Sequence, residues 1–186
     1  EWGEGVEETV LTRPFGKYPY RPDDPADYHA AAKRLLHMQA ASLVRRMQYA
    51  NLKHPVVGIS GGVDSTLAVI ICAEAVKMMG LPADYVTAVT MPCFGTTHRT
   101  RSNAEILCEE LGVTFQEIPI ARTVHSHFAD IGQDEAALDV TYENCQARVR
   151  TLELMDLANR TGGLVVGTGD LSELALGWAT YNGDHM

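Results

Sequence analysis

The run Ser60-Gly61-Gly62-Val63-Asp64-Ser65 holds the residue types that grip a phosphate chain. It lies between an apolar stretch, Pro55-Val56-Val57-Gly58-Ile59, and a helix-forming stretch from Ser65 to Met79. A buried strand that turns through two glycines into a helix presents unpaired backbone N–H groups, and the helix dipole favours an anion there. Gly61 and Gly62 permit the sharp turn and a close approach of the backbone to the ligand. Ser60 and Ser65 add hydroxyl donors. Asp64 would repel a phosphate unless a cation lies between them, and Mg²⁺ prefers carboxylate and phosphate oxygens. The plainer reading of the same residues is a turn that only caps a helix. No lysine follows the glycines, so this is not a kinase-type P-loop, and the spacing is not that of the dinucleotide fingerprint G-x-G-x-x-G.

A second group follows the apolar run Leu164-Val165-Val166: Gly167-Thr168-Gly169-Asp170-Leu171-Ser172-Glu173-Leu174. Thr168 could donate to a phosphate or to adenine. Glu173 could be the second carboxylate for a metal first held by Asp64. Equally, Asp170 and Glu173 have the spacing of an ordinary capping box. In Tyr142-Glu143-Asn144-Cys145-Gln146-Ala147-Arg148-Val149-Arg150, Asn144 and Arg148 share a helix face and Arg150 points elsewhere. Met91-Pro92-Cys93-Phe94-Gly95-Thr96-Thr97-His98-Arg99-Thr100 reads as a loop near phosphates or as a plain surface loop.

The elements that must position these residues alternate along the chain. Asp24-Pro25 starts a helix that runs to about Asn51, with Leu36, Leu43 and Met47 at helical spacing and Arg45 and Arg46 facing elsewhere. Strands are expected at Val56–Ile59, Tyr85–Met91, Val113–Ile118 and Leu164–Val166. Helices are expected at Ser65–Met79, with Leu67, Ile71 and Ala75 on one face, at His98–Leu111 and at Asp139–Arg160. Such alternation gives a parallel sheet covered on both faces, with ligands beyond the carboxyl ends of the strands. Those ends are Ser60–Ser65, Pro92–His98, Pro119–Arg122 and Thr168–Glu173.

The chain has 186 residues and a net charge of −9. It is long enough for one domain with a substantial core. The acidic balance disfavours a nucleic-acid partner, and no apolar run approaches a membrane span. Cys72, Cys93, Cys108 and Cys145 are far apart, without a C-x-x-C pair, and read as reduced thiols of a cytoplasmic protein. His125-Ser126-His127 lies in a polar stretch and reads as surface histidines ahead of a metal site.

S-G-G-x-D-S resembles the signature of the ATP pyrophosphatases, which cleave ATP between the α- and β-phosphates. Three elements together resemble the synthetase domain of glutamine-dependent NAD synthetases, in the N-type ATP pyrophosphatase family. They are Gly58-Ile59-Ser60-Gly61-Gly62-Val63-Asp64-Ser65, Glu143-Asn144-Cys145-Gln146-Ala147-Arg148, and Gly167 through Trp178-Ala179-Thr180-Tyr181. The first is shared by all ATP pyrophosphatases. The last argues against the GMP synthetase type, and the intact first loop argues against a non-catalytic nucleotide-binding module. The resemblance implies an α/β fold of three layers, a parallel sheet with helices on both faces, of the adenine nucleotide alpha hydrolase-like kind. It implies a carbon–nitrogen ligase that uses ATP, Mg²⁺ and ammonia drawn from glutamine to convert nicotinic acid adenine dinucleotide (deamido-NAD) to NAD⁺. It implies that Gly58 to Ser65 and Thr168 hold ATP and that Asp64 and Glu173 hold the metal. Asn144, Arg150, Glu173, Trp178, Ala179, Thr180 and Tyr181 would hold deamido-NAD. It also implies a homodimer or higher homo-oligomer. Residues 1–24 would be a linker from a glutaminase domain, and 25–186 a synthetase domain that lacks its C-terminal part.

Overall fold

The computed structural model describes residues 10, 12, 13, 18, 21, 22, 24–94, 98–178, 180 and 183. The chain divides into two units, residues 1–36 and 37–186. In the first, the Asp24 carboxylate accepts from the Ala26 N–H at 2.9 Å and caps a short 3₁₀ turn, Pro25–Asp27. Pro25 suits that place because its missing N–H has no partner to lose. Helix α1 (Tyr28–Ala50) follows. The Arg21 guanidinium lies 4.0 Å over the Tyr18 ring and 5.0 Å from the ring centre of Tyr28.

In the second unit α1 buries Ala40 and Met47, packs Leu43 against the core, and leaves Arg45 and Arg46 exposed. Then come β1 (His54–Gly58), α2 (Val63–Met78), β2 (Thr87–Thr90), α3 (His98–Leu111), β3 (Thr114–Glu117), α4 (Ala121–Ile131), α5 (Val140–Thr161), β4 (Gly163–Val165) and α6 (Leu171–Leu176). Among the described residues the strands form one parallel sheet in the order β3-β2-β1-β4. Strand residues alternate between its faces, and each face has its own core. Val56 and Val89 point into the layer of α4 and α5, with Phe128, Cys145, Val149 and Leu157. Val57 and Ala88 point into the layer of α2 and α3, with Val69, Cys72, Val76 and Cys108. These two cores on opposite faces make the expected three layers.

The structure corrects the sequence reading in three places. Residues 121–131 form helix α4, which the polar look of His125-Ser126-His127 concealed. Helix α2 buries Ser65, Ala68, Val69, Cys72, Ala75 and Val76, whereas Leu67 is exposed. The expected stripe of Leu67, Ile71 and Ala75 was therefore turned, because a helix apolar on most sides gives its period no direction. Strand β2 is shorter than expected, since Ala83–Tyr85 is a 3₁₀ turn. The four cysteines are free thiols. No helix among the described residues is long and apolar enough to cross a membrane.

Candidate active site

Strand β1 delivers the chain to Ile59, whose N–H donates to Val89 O at 2.8 Å, the last sheet-like bond before the loop. Gly61 then turns at φ 83, in the left-handed region that a side chain disfavours. Gly62 is the N-cap of α2 and has no side chain to close the first turn. The N–H groups of Val63, Asp64 and Ser65 have no carbonyl four residues back in the helix, while Thr66 N–H reaches Gly62 O at 3.1 Å. Val63 and Asp64 are exposed, and unpaired N–H groups at a helix start favour an anion. The loop is tied internally. Ser65 Oγ accepts from Ser60 N–H at 3.3 Å, lies 3.2 Å from Ser60 Oγ and donates to Gly62 O at 3.2 Å. Gly62 N–H donates to Ser60 Oγ at 3.3 Å. Asp64 is exposed on the first turn, where the dipole tolerates a carboxylate.

Strand β4 lies on the other side of β1, in the register His54↔Gly163, Pro55↔Leu164 and Val56↔Val165. Val166 N–H continues the pairing by donating to Val56 O at 2.8 Å. The sheet order reverses at β1, so the crevice between the ends of β1 and β4 is the topological switch point. Loop Ser60–Gly62 borders it on one side and Val166–Asp170 on the other, including half-buried Thr168. At the start of α6, Asp170 caps Glu173 N–H at 2.8 Å, and Glu173 Oε2 accepts from Asp170 N–H at 3.0 Å. The capping-box reading of this pair is thus correct. It occupies one oxygen of Glu173 and leaves the other for a second role.

Helix α5 packs on both β1 and β4 and follows N-cap Asp139. Its Leu154 side chain lies against Gly58 at the end of β1, and Asn144, earlier on the helix, is half-buried. Arg150 lies on another face, near the end of β2. Burial pushes the Cys93 thiol up, while the Phe94 N–H and the Arg150 guanidinium pull it down. The chain after α6 returns to α5: Thr151 Oγ1 donates to Gly183 O at 2.8 Å, and Gly183 N–H donates to Thr180 O at 3.0 Å. A Cβ on Gly183 would meet both Thr180 and Ala147, so the segment of Thr180 runs against the helix of Asn144 and Arg150. Trp178 is 78% exposed, with its N–H on Glu173 O at 2.8 Å. It is not a core tryptophan. Ala179 and Tyr181 lie outside the described residues, as do Gly95, Thr96 and Thr97 of the loop after β2.

Two features went unread in the sequence. One is the Thr151–Gly183 tie, a contact across 32 residues. The other is an aromatic group at the end of β2: Phe94 stacks on Tyr142 at 5.6 Å and meets the edge of His125 at 4.9 Å. His125 Nδ1 pairs with Glu135 Oε1 at 2.6 Å, in keeping with a surface histidine. Among the described residues no three carboxylates, histidines or cysteines gather as a metal cage. Asp64 and one oxygen of Glu173 are hard donors that fit a Mg²⁺ held mainly by phosphates and water.

A parallel sheet with helices on both faces, a glycine turn into a helix and a crevice at the switch point define an α/β protein of the adenine nucleotide alpha hydrolase-like fold. The NAD synthase family model matches residues 35–186, and the chain belongs to that family. It is 44% identical over 181 residues to a glutamine-dependent NAD(+) synthetase of Mycobacterium leprae, covering 95% of this chain and 27% of that protein. The structure resembles that of a glutamine-dependent NAD+ synthetase from Acinetobacter baumannii in complex with ADP. Its TM-score is 0.71 at 32% identity, covering 78% of this chain and 27% of that one. It also resembles an NH3-dependent NAD synthetase from Campylobacter jejuni, with TM-score 0.71 at 28% identity over 82% of this chain and 62% of that one. The chain spans about a quarter of the length of the curated relatives it matches.

Proposed function

We propose that this chain is the ATP-using synthetase part of an enzyme that amidates deamido-NAD to NAD⁺. The observation that carries this reading is the pairing of β1 with β4 in a chain of the NAD synthase family. That pairing sets Ser60–Ser65 and Gly167–Glu173 on either side of one crevice. A nicotinate carboxylate oxygen attacks the α-phosphorus of ATP, and the bond to the bridging oxygen breaks to release pyrophosphate. Ammonia then attacks the carboxyl carbon, and AMP leaves as NAD⁺ forms. In the whole protein glutamine supplies the ammonia.

The residues of this chain act by holding and orienting, and no protein nucleophile is needed. The first-turn N–H groups of α2 and the loop Gly58–Ser65 hold the phosphates, and Thr168 contacts ATP from across the crevice. Asp64 and the open oxygen of Glu173 hold Mg²⁺, which when bound neutralises phosphate charge. Asn144, Arg150, Glu173 and the run Trp178–Tyr181 hold deamido-NAD, with exposed Trp178 offering a stacking face. Residues 1–24 are a linker and 25–186 the synthetase domain, in a cytoplasmic homo-oligomer. The test is to incubate the purified protein with ATP, Mg²⁺, ammonia and deamido-NAD and to measure AMP and NAD⁺. Equal amounts of the two are expected. AMP formed with xanthosine monophosphate but not with deamido-NAD would overturn the reading.

A further inference from the structure

Helix α6 buries none of its residues, and Leu171, Leu174 and Leu176 on it are exposed. Apolar burial therefore does little to fix this wall of the crevice. Strand β4 ties it at one end, through the ladder with β1 and through Val165 and Val166, which pack against the two cores. Beyond its other end, Thr151 on α5 meets Gly183. A threonine inside a helix commonly donates back to the carbonyl four residues earlier, as Thr161 does to Leu157 O at 3.0 Å. Thr151 gives its one hydrogen instead to Gly183 O, 32 residues away in sequence, at 2.8 Å. Gly183 is buried, and a Cβ there would lie 2.6 Å from Thr180 Cβ and 3.0 Å from Ala147 Cβ. Two small residues, Ala147 and Gly183, thus let the returning backbone settle on the helix. Asn144, Ala147 and Thr151 follow one another at spacings of three and four, so they share one stripe of α5. Thr180 and Gly183 are seated on the stripe that begins with Asn144.

We propose that Thr151 is a positioning residue: its hydroxyl clasps Gly183 and seats the segment of Thr180 beside Asn144, so that it sets how tightly deamido-NAD is held without touching it. This rests on the reading of Asn144 and Trp178–Tyr181 as the deamido-NAD site. Thr151 lies about two helical turns beyond Asn144, and its only hydrogen is already given to Gly183 O. Its effect on the ligand therefore passes through the backbone that it holds. The turn Ser60–Ser65 has its own internal hydrogen bonds and does not depend on the clasp.

The experiment compares the wild-type protein with Thr151→Val, Thr151→Ser and Gly183→Ala. In ligand-free protein, hydrogen exchange at the Gly183 amide, which donates to Thr180 O, is expected to rise about tenfold in Thr151→Val. Thr151→Ser keeps the hydroxyl and is expected to restore slow exchange. By calorimetry, deamido-NAD is expected to bind about tenfold more weakly to Thr151→Val and normally to Thr151→Ser, while MgATP binds all three alike. Gly183→Ala keeps the hydroxyl of Thr151 but crowds its seat, and is expected to weaken deamido-NAD as well. Wild-type exchange in Thr151→Val overturns the clasp. Faster exchange with unchanged deamido-NAD affinity, or equal losses for deamido-NAD and MgATP, overturns the positioning role. If Thr151→Val does not fold, Thr151→Cys gives the same readouts, since a thiol donates weakly. Exchange needs no ligand. A wild-type protein that binds MgATP but not deamido-NAD would overturn the dinucleotide reading and the positioning role with it, while exchange at Gly183 still decides the clasp.

Discussion

Replacing Gly163 with alanine should damage the edge of the site by a backbone route. A Cβ at Gly163 would overlap the His54 carbonyl oxygen and come within 3.0 Å of the His54 carbonyl carbon and Cβ. These atoms belong mostly to the paired strand and cannot rotate aside, so β4 must retreat from β1. The strand is three residues long, and a retreat at its first residue loosens the ladder that continues to Val166. Losing two interstrand hydrogen bonds costs about 1–3 kcal/mol, and local overpacking adds about 1 kcal/mol or more. The alanine restricts the unfolded chain, which returns roughly 0.4–1 kcal/mol. The balance is a loss of about 2 kcal/mol, or a melting temperature lower by roughly 4–8 °C for a domain of this size. Gly169 is the control: a Cβ there meets only Glu173 Oε2, at 3.4 Å. Urea denaturation of both variants gives the comparison, with unchanged slopes as the sign that only stability moved. Gly163→Ala as stable as the wild type, or Gly169→Ala equally destabilised, would refute the reasoning.

Asp64→Ala should abolish NAD⁺ formation yet leave the melting temperature within about 1 °C, since an exposed first-turn carboxylate contributes only a few tenths of a kcal/mol; product assay and thermal melt check it together. Burial pushes the Cys72 thiol up to about 12 and the Cys108 thiol up to about 11 from an ordinary 9.0. The unfolded chain loses these protons first, so stability is full below pH 9 and declines as pH rises above it. Urea midpoints between pH 8 and 10.5 should show the decline flattening in a Cys72→Ala/Cys108→Ala variant. The Tyr142 N–H, with smaller help from Gln133, holds the Asp139 carboxyl below its ordinary 3.8. Its stabilisation is complete above that value and is lost as pH falls through the lower folded value. Acid titration of Asp139→Asn should lack that component and keep the helix start.

Local signals carried most of the fold. Glycines at helix ends, apolar runs of strand length and Asp24-Pro25 each report on their own neighbourhood, and helix α3 was read with its observed bounds. Helix α4 was missed although Val124, Phe128 and Ile131 have helical spacing, because the two histidines between them drew the eye to polarity. The direction of α2 was unreadable because only the tertiary neighbours of a mostly apolar helix choose its buried side. In the site, the glycine turn Ser60–Ser65 was legible as one continuous run. That Ser65 is buried while Ser60 is exposed was not, since burial depends on tertiary neighbours. The stacking of Phe94 on Tyr142 joins residues far apart in sequence, which no local pattern encodes.

The place of β4 in the sheet has a kinetic side. Pairing β1 with β2, or β2 with β3, closes a loop of roughly 30 residues, whereas pairing β1 with β4 closes one of roughly 110, at about 1 kcal/mol more in chain entropy. Contacts that span more chain form more slowly. A nascent chain can therefore complete β1, β2 and β3 and hold a finished Ser60–Ser65 turn while the opposite wall of the crevice has yet to be synthesised. The order of assembly runs from the glycine turn after β1 to the capped turn after β4.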